Sequence, residues 1–384
     1  MKRHLSLVAA ALLVAGCAGT PSRGADMRDM PGMGHGTAKA SAPPLPPPAT
    51  SGPGTDVYAH DRPGMLSPAV SGQRNLVYVP NSLSGTVTVI DPATYKIIDH
   101  FRVGAMPQHV VPSWDLKTLW INDNNSNDLV PIDPVTGKPG RKVAVADPYN
   151  LYFTPDGRYA MVMAERNDTI DFRDPHTMQL RHSMKVPCRG PNHADFSADD
   201  TFFITACEFS GSVLKVDTAG QKVVATIALG RGAMPQDVKL SPDGTAFYIA
   251  DMATNGVWVI DAATFKKIGF IPTGRGAHGL YPSRDSKTLY VSNRGEGSIS
   301  LIDFRTRRTI AKWHLPGGGS PDMGGVSADG KVLWLSGRYN SEVYAISTQT
   351  GTLLKRIRVD AGPHGLCVWP QPGRYSLGHT GVLR

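Results

Sequence analysis

Cysteines and long apolar runs are both scarce in this chain of 384 residues, and each shortage excludes a class of protein. Only four cysteines are present, and none lies in a Cys-x-x-Cys-His segment, so a covalently attached c-type haem is excluded. No apolar run after residue 15 is long enough to span a bilayer. No nucleophile elbow or catalytic-triad motif is found. The formal charge of +8 comes from scattered residues rather than a basic run, so no nucleic-acid partner is expected.

What the chain does have is an internal repeat of 41 to 44 residues. In each unit an apolar strand ends at a turn residue; these are Asp91, Asp133, Asp174, Asp217, Asp261, Asp303 and Ser347. A period in the low forties, with several short alternating strands, is typical of a β-propeller blade. We therefore predict an all-β protein, a seven-bladed β-propeller with four antiparallel strands per blade. A lone strand at 365–369 would complete the first, three-stranded unit, a 3+1 closure that removes a free edge.

The N-terminus predicts export and a lipid anchor. Residues 1–16 have the basic start and short apolar stretch of a secretory signal peptide. The segment Val14-Ala15-Gly16-Cys17 matches a bacterial lipobox, which predicts lipidation of Cys17; the alternative is an ordinary signal peptide followed by a chance cysteine. Ala18 favours sorting to the outer membrane, so we expect a protein anchored there on the periplasmic or cell-surface side.

The propeller is expected to occupy residues 71–371, with a tether before it and a tail at 372–384. Residues 17–70 are rich in proline, methionine and histidine, a composition that cannot support a packed core. Four potential ligands for Cu(I) are closely spaced in this tether: Met27, Met30, Met33 and His35. The alternative is a disordered spacer with incidental methionines.

The repeats also predict a polar channel mouth, because the first strand of each blade lines the central channel. One ring of first-strand residues comprises Gln108, Tyr149, Asn192, Gln236, His278, Asp322 and His364. The next ring comprises His109, Asn150, His193, Asp237, Gly279, Met323 and Gly365. Such polarity indicates a ligand site, although these groups would also serve to bind channel water and backbone.

Loops that join second and third strands reach the same face. They supply Asp123, Glu165, Cys207, Asp251, Arg294 and Arg338. Arg294 and Arg338 lie on adjacent blades and could clamp a carboxylate or phosphate; alternatively they are two solvated arginines. Cys188 and Cys207 could form a disulfide in an oxidising compartment, remain free, or bind a soft metal with His193. Cys367 is expected to be a buried, inert thiol.

The segment from Leu289 to Asp303, LYVSNRGEGSISLID, resembles the YVTN-repeat propellers, the periplasmic YncE-like family. The resemblance covers about 300 residues and implies the propeller fold without implying a reaction. The segments 191–199 and 207–217 are similar to the haem-d propeller domain of cytochrome nitrite reductases and related maturation lipoproteins. That likeness implies a tetrapyrrole at the mouth, with His193 as axial or distal residue and His109, His278 and His364 nearby. Those domains have eight blades, whereas this chain predicts seven.

Three functions follow as hypotheses. The first is a non-enzymatic, monomeric scaffold: a lipid-anchored propeller that binds a cell-envelope protein or a small anionic ligand. The second is a propeller that binds a haem-type tetrapyrrole or copper. The third is a metal-dependent hydrolase of the lactonase type, for which the carboxylates would be Asp237, Asp251 and Glu165.

Overall fold

The computed structural model describes residues 56–384 as strands and turns with three short 3₁₀ helices, at Pro68–Val70, Asn124–Ser126 and Glu208–Ser210. The predicted signal peptide, Cys17 and the Met/His cluster lie outside the described residues. Within them, no helix is long and apolar enough to cross a membrane.

The described chain forms seven blades around a central axis, as predicted. Blade 1 contains β1 (Leu76–Asn81), β2 (Thr86–Asp91) and β3 (Lys96–Arg102). Blade 2 contains β4 (Pro107–Pro112), β5 (Leu119–Asp123), β6 (Asp128–Asp133), β7 (Lys138–Pro139) and β8 (Val143–Ala144). Blade 3 contains β9 (Asn150–Phe153), β10 (Ala160–Ala164), β11 (Thr169–Arg173) and β12 (Leu180–Lys185). Blade 4 contains β13 (Pro191–Phe196), β14 (Phe202–Cys207), β15 (Ser212–Asp217) and β16 (Lys222–Ala228).

The remaining blades repeat this order. Blade 5 contains β17 (Pro235–Leu240), β18 (Ala246–Asp251), β19 (Gly256–Asp261) and β20 (Lys266–Pro272). Blade 6 contains β21 (Ala277–Pro282), β22 (Thr288–Asn293), β23 (Ser298–Asp303) and β24 (Arg308–His314). Blade 7 contains β25 (Pro321–Val326), β26 (Val332–Gly337), β27 (Glu342–Ser347) and β28 (Leu353–Arg358). All neighbouring strands within a blade are antiparallel.

The ring closes in blade 1. Strand β29 (Cys367–Trp369) pairs antiparallel with β1, and the register places Leu76 opposite Trp369 and Tyr78 opposite Cys367. This confirms the predicted 3+1 closure, which pairs an edge that would otherwise expose unpaired backbone groups.

The core lies between successive blades. The middle strands are buried on both faces, and apolar side chains of neighbouring blades pack together, as Tyr248 and Val259 of blade 5 do in one cluster with Leu280 and Val291 of blade 6. Fully burying each such side chain contributes roughly 1.5–3 kcal/mol. The outermost strands are more exposed; along β16, exposed and half-buried residues alternate. Apolar packing therefore explains how the blades hold together. It does not explain the polar residues that line the channel.

The C-terminal tail crosses the channel on the face where the first and second strands of each blade turn. Strand β30 (Ser376–Gly378) joins the inner edge of blade 3, where Gly378 pairs with Tyr152, and β31 (Val382–Leu383) pairs with β30. Ser376 Oγ donates to the carbonyl of Pro112, and Thr380 Oγ1 to that of Gly324. The tail therefore bridges several blades and closes the channel from below.

The predicted tether boundary at residue 70 differs from the structure. The backbone N–H of Val57 donates to Pro242 O, and the buried Tyr58 hydroxyl donates to Leu240 O at 2.8 Å. Leu66 forms a bridge with Gly373. Residues 56–70 therefore pack on the lower face beside the tail. The aromatic and apolar side chains of Tyr58, Leu66 and Val70 indicate that this segment packs. The prediction missed them because it used the composition of residues 17–70 as a whole.

Candidate metal centre in the propeller channel

The first strands of five blades bulge at the two positions that the repeats place at the channel. In blade 4, Pro191 pairs with Cys207 and Ala194 with Thr205, so Asn192 and His193 fall outside the ladder. The same shift occurs in blades 2, 5, 6 and 7. A β-bulge leaves a residue unpaired, bends its strand and redirects side chains. Here the bulged residues are the ones whose side chains meet in the channel.

The predicted mouth residues are deeper than expected. All of His109, Asn150, Asn192, His193, Gln236, Asp237, His278, Asp322 and His364 are at most 2% exposed. Each is therefore an interior residue whose polar atoms need partners within the channel, because an unpaired buried polar group is costly.

The upper part of the channel contains a group built around one ion pair, which we call the upper network: Arg294, Asp322, His278 and His364. Asp322 Oδ2 lies 2.7 Å from His364 Nδ1, and Oδ1 lies 3.2 Å from Arg294 Nη1. His278 Nδ1 is 3.0 Å from Asp322 Oδ1, although its angle is too poor for a regular hydrogen bond. One carboxylate thus holds two imidazoles and a guanidinium in place.

Directly beside this network lie three histidines, His109, His193 and His379, which we call the histidine triad. One ring nitrogen from each lies within 4.8 Å of the others. The ring centroids of His193 and His379 are 4.9 Å apart, and those of His109 and His379 are 5.2 Å apart. The triad contacts the upper network, since the His109 and His364 centroids are also 4.9 Å apart.

The triad nitrogens are poorly partnered among the described residues. His109 Nδ1 is 2.9 Å from Tyr149 O, so Nδ1–H donates to this carbonyl and Nε2 keeps its lone pair. Neither nitrogen of His193 has a partner, and neither does Nε2 of His109 or of His379. The Asn150 amide, as placed, donates to His379 Nδ1 at 3.0 Å. Four buried imidazole nitrogens therefore have no hydrogen-bond partner, and each of the three neutral rings can offer one lone pair to a ligand.

Burial keeps these imidazoles neutral. It lowers the pKa of His109 to about 4, and it holds the pKa values of His193 and His379 well below the ordinary value for histidine. The charges of neighbouring histidines and of Lys239 act in the same direction on His193 and His379. Neutral imidazole is the form that binds metal ions.

His379 was missed by sequence reasoning because it lies beyond the ring closure, in the segment predicted as a tail. Its position follows from β30 and from the N–H of His379, which donates to Leu151 O at 2.8 Å. The only sequence signal is the apolar character of Leu377, Val382 and Leu383, all buried here. Lys239 was also missed; its Nζ lies 3.0 Å from Asp237 Oδ1.

Several predicted site residues hydrogen-bond within the channel. Asp237 also accepts from the backbone of Val238 and of Leu280. Asn192 accepts from the His193 N–H, and its amide donates to Glu208 at 3.3 Å. Gln236 donates to Met234 O. A ligand-binding role for these residues stays a prediction.

The predicted hydrolase carboxylates are likewise engaged locally. Asp251 accepts from Met234 N and from the Trp258 indole, while Asp237 pairs with Lys239. Glu165 lies near Glu208 in the mouth, and burial followed by the charge of Glu208 raises the pKa of Glu165 well above its usual range. These carboxylates show no shared arrangement for a carboxylate-rich metal site.

The structure contradicts one predicted metal site, the one formed by Cys188 and Cys207 with His193. Cys188 and Cys207 form a disulfide, with Cα atoms 6.1 Å apart. Cys207 therefore has no free thiolate to join His193 as a ligand. Cys367 is buried, and burial raises the pKa of its thiol.

The protein is therefore a seven-bladed β-propeller with buried histidines in its central channel. The chain belongs to the YNCE-like beta-propeller family, which matches residues 65–372. It is 22% identical over 324 residues to "Uncharacterized protein YncE" from Salmonella typhi, an alignment that covers 76% of this chain and 88% of that protein.

Solved structures share the fold. "Kuenenia stuttgartiensis Hydrazine Synthase" superposes with a TM-score of 0.62 at 19% identity, covering 76% of this chain and 97% of that one. "Dihydro-heme d1 dehydrogenase NirN in complex with DHE" superposes with a TM-score of 0.59 at 15% identity, covering 86% of this chain and 80% of that one. At such identities these likenesses establish the propeller fold alone.

Proposed function

We propose that this protein is a copper-binding propeller of the bacterial cell envelope, and that its histidine triad holds one Cu(I) ion in the channel. The observation that carries the proposal is the set of four unpartnered imidazole nitrogens on His109, His193 and His379. Three converging imidazoles are a donor set that copper and zinc both accept.

The spacing is compatible with a metal ion after a small contraction. Atoms at the corners of a triangle with 4.8 Å sides lie about 2.8 Å from its centre, whereas metal–imidazole bonds are about 2.0–2.1 Å long. Side-chain rotation within the channel would close this gap. His109 and His193 lie on the bulged first strands of blades 2 and 4, whereas His379 lies on the tail, so His379 is the residue best placed to adjust.

Charge favours Cu(I) over a divalent ion. The triad donors are neutral, and the nearest carboxylate, Asp237, lies 3.8 Å from His379 Nε2 and is already paired with Lys239. Burying an uncompensated charge is expensive, and the cost rises with the charge. A monovalent ion with three neutral ligands is therefore the better match.

The remaining parts of the proposal rest on the sequence. The lipobox supports lipidation at Cys17 and an outer-membrane location, and a disulfide between Cys188 and Cys207 fits an oxidising compartment. The Met27, Met30, Met33 and His35 cluster would offer a second, softer copper site on the tether. The role we propose is binding rather than catalysis.

A tetrapyrrole remains a separate prediction with less support. An axial ligand must present a nitrogen to a large planar group, but His193 is fully buried beside Tyr149, with ring centroids 5.8 Å apart. Binding a tetrapyrrole there would require the mouth to open, whereas the triad needs only a single ion.

The test is copper binding by the purified full-length protein. After treatment with a chelator, it is titrated with Cu(I) under ascorbate against a colorimetric competitor, and the loaded protein is examined by X-ray absorption. We expect one tightly held ion surrounded by about three imidazoles, and its loss in His379→Ala. His176→Ala, an exposed histidine of blade 3, is the matched control.

Three outcomes would overturn parts of the proposal. Copper retained by His109→Ala and His379→Ala alike would exclude the triad. Copper lost only when Met27, Met30 and Met33 are replaced by leucine would place the site in the tether. Zinc bound more tightly than Cu(I), with the same dependence on the triad, would refute the choice of copper.

A further inference from the structure

Arg338 is a buried guanidinium with almost no partners. It follows β26 in blade 7 and is only 6% exposed. Its Nη1 donates to Ser82 Oγ of blade 1 at 3.1 Å, and this is the one hydrogen bond its side chain makes among residues 56–384. A guanidinium has five N–H donors, and Nε and Nη2 of Arg338 are neither hydrogen-bonded to these residues nor fully enclosed, so an acceptor from solution can reach them. Arg338 is therefore arranged as a donor that lacks its acceptor.

Arg294, on the adjacent blade 6, has a similar deficit. Its Nη1 reaches Asp322, but Nη2 faces the sulfur of Met252, a weak acceptor. The guanidinium carbon lies 5.3 Å from the Tyr339 ring centroid, a cation–π arrangement that holds the planar group in orientation. An oxyanion would be a much better acceptor for Nη2 than a thioether.

The charges at this side of the mouth do not balance. The one carboxylate of the upper network, Asp322, pairs with Arg294, and its charge also favours the charged form of Arg338, whose pKa is nevertheless lowered by burial. Glu165 and Glu208 lie on blades 3 and 4, and burial raises the pKa of both. On the blade 6 and blade 7 side, two guanidiniums therefore share the one carboxylate of Asp322.

We propose that Arg294 and Arg338 bind the carboxylate of a small organic acid at the channel mouth, above the upper network. Two guanidiniums with free planar donors match a carboxylate in shape, and a single negative charge balances the one in excess. This site uses none of the triad nitrogens, so the proposal does not depend on whether the triad binds copper.

The experiment measures anion binding by the full-length, metal-free protein in the presence of a chelator. Acetate, succinate and inorganic phosphate are each titrated at constant ionic strength made up with chloride, and binding is followed by calorimetry and by the shift in thermal midpoint. We expect saturable binding of the carboxylates, and an affinity at least tenfold lower in Arg338→Met. Arg338→Lys should lower the affinity several-fold, because lysine keeps the charge but lacks the planar pair of N–H donors. Arg358→Met, an exposed arginine of the same blade, should bind as the unmodified protein does.

The outcomes separate clearly. Equal weakening in Arg338→Met and Arg358→Met, or no saturable binding by the unmodified protein, would overturn the proposal. Phosphate bound more tightly than either carboxylate would overturn the choice of a carboxylate. If Arg338→Met does not fold, Arg338→Lys and Met252→Leu replace it. The lysine variant must bind the carboxylate more weakly. The leucine variant must bind it as well as the unmodified protein does, because the bound carboxylate replaces the sulfur of Met252 as the acceptor.

Discussion

The channel contains two sets of histidines that differ in one respect. His278 and His364 lie against the carboxylate of Asp322, whereas the histidine triad leaves four nitrogens without partners among the described residues. Both sets are buried to the same degree. Burial alone therefore does not identify a binding residue; the useful criterion is whether the protein itself satisfies the buried polar atoms. By that criterion His364 is structural, because its Nδ1 is bonded to Asp322. His278 is held against the same carboxylate, although its Nδ1 makes no regular hydrogen bond, and the triad with its four unpartnered nitrogens is the ligand set.

The largest expected effect comes from removing the tail after Gln371. This deletes His379 and also three buried apolar side chains, so we expect the free energy of unfolding to fall by about 5 kcal/mol or more, together with loss of copper binding. Denaturant unfolding and copper titration provide the measurements. His379→Ala in the intact chain should lose copper while keeping most of the stability. Copper binding by the truncated chain would show that His379 is not a ligand, and the proposed difference between the two sets of histidines would then be wrong.

Asp322→Ala should have the opposite pattern. It leaves the Arg294 guanidinium and two imidazoles without their acceptor, and breaking a buried ion pair on one side costs about 3–5 kcal/mol. Copper binding should persist because the triad is unchanged. Asp329→Ala, in an exposed turn of the same blade, should cost under about 1 kcal/mol. Thermal unfolding with and without copper makes the comparison, and a strong loss of copper affinity in Asp322→Ala would show that the two sets act as one.

A third effect concerns pH and the lower face that carries His379. Burial raises the pKa of Asp61 to about 7, above its unfolded value of 3.8, so the folded protein holds this proton more tightly. Its contribution to stability is fully present below pH 3.8 and declines as the pH rises through 7, by about 4 kcal/mol in all. Asp61→Asn should remove that slope. Unfolding measured from pH 4 to pH 8 gives the result, and parallel curves for the two proteins would contradict it.

The smallest effect is a gain. As placed, the Asn150 amide donates to His379 Nδ1, which leaves the proton on Nε2, the atom that faces the triad. Asn150→Asp would supply an acceptor for Nδ1–H and free the Nε2 lone pair. Because such carboxylate–histidine partners change metal affinity about 10–100-fold, we expect Cu(I) affinity to rise by about tenfold. Asn192→Asp is the matched control, since the Asn192 side chain contacts the backbone N–H of His193 but no ring nitrogen of the triad. Unchanged or weaker binding in Asn150→Asp would argue against His379 as a ligand through Nε2.

Much of the fold could be read from the chain, because each repeat carries its own strand and turn signals. The turn aspartates from Asp91 to Asp303 come at or directly after the end of the third strand of each blade, and the repeats also located the channel positions. The depth of those positions could not be predicted, since it depends on bulges that are set by pairing between strands. His379 could not be predicted because its place in the channel depends on contacts with Leu151 and Asn150, far away in sequence.

The bulges have a consequence for how such a ring can diversify. At positions such as His109 and His193, the side chain enters the channel from a residue that contributes little to the ladder around it. Exchanging these residues would rewrite the chemistry of the channel while the pairing, the turns and the packing between blades stay as they are. A directed library restricted to positions such as His109 and His193, which take no part in the ion pairs of the channel, would therefore sample many different channel linings on one scaffold.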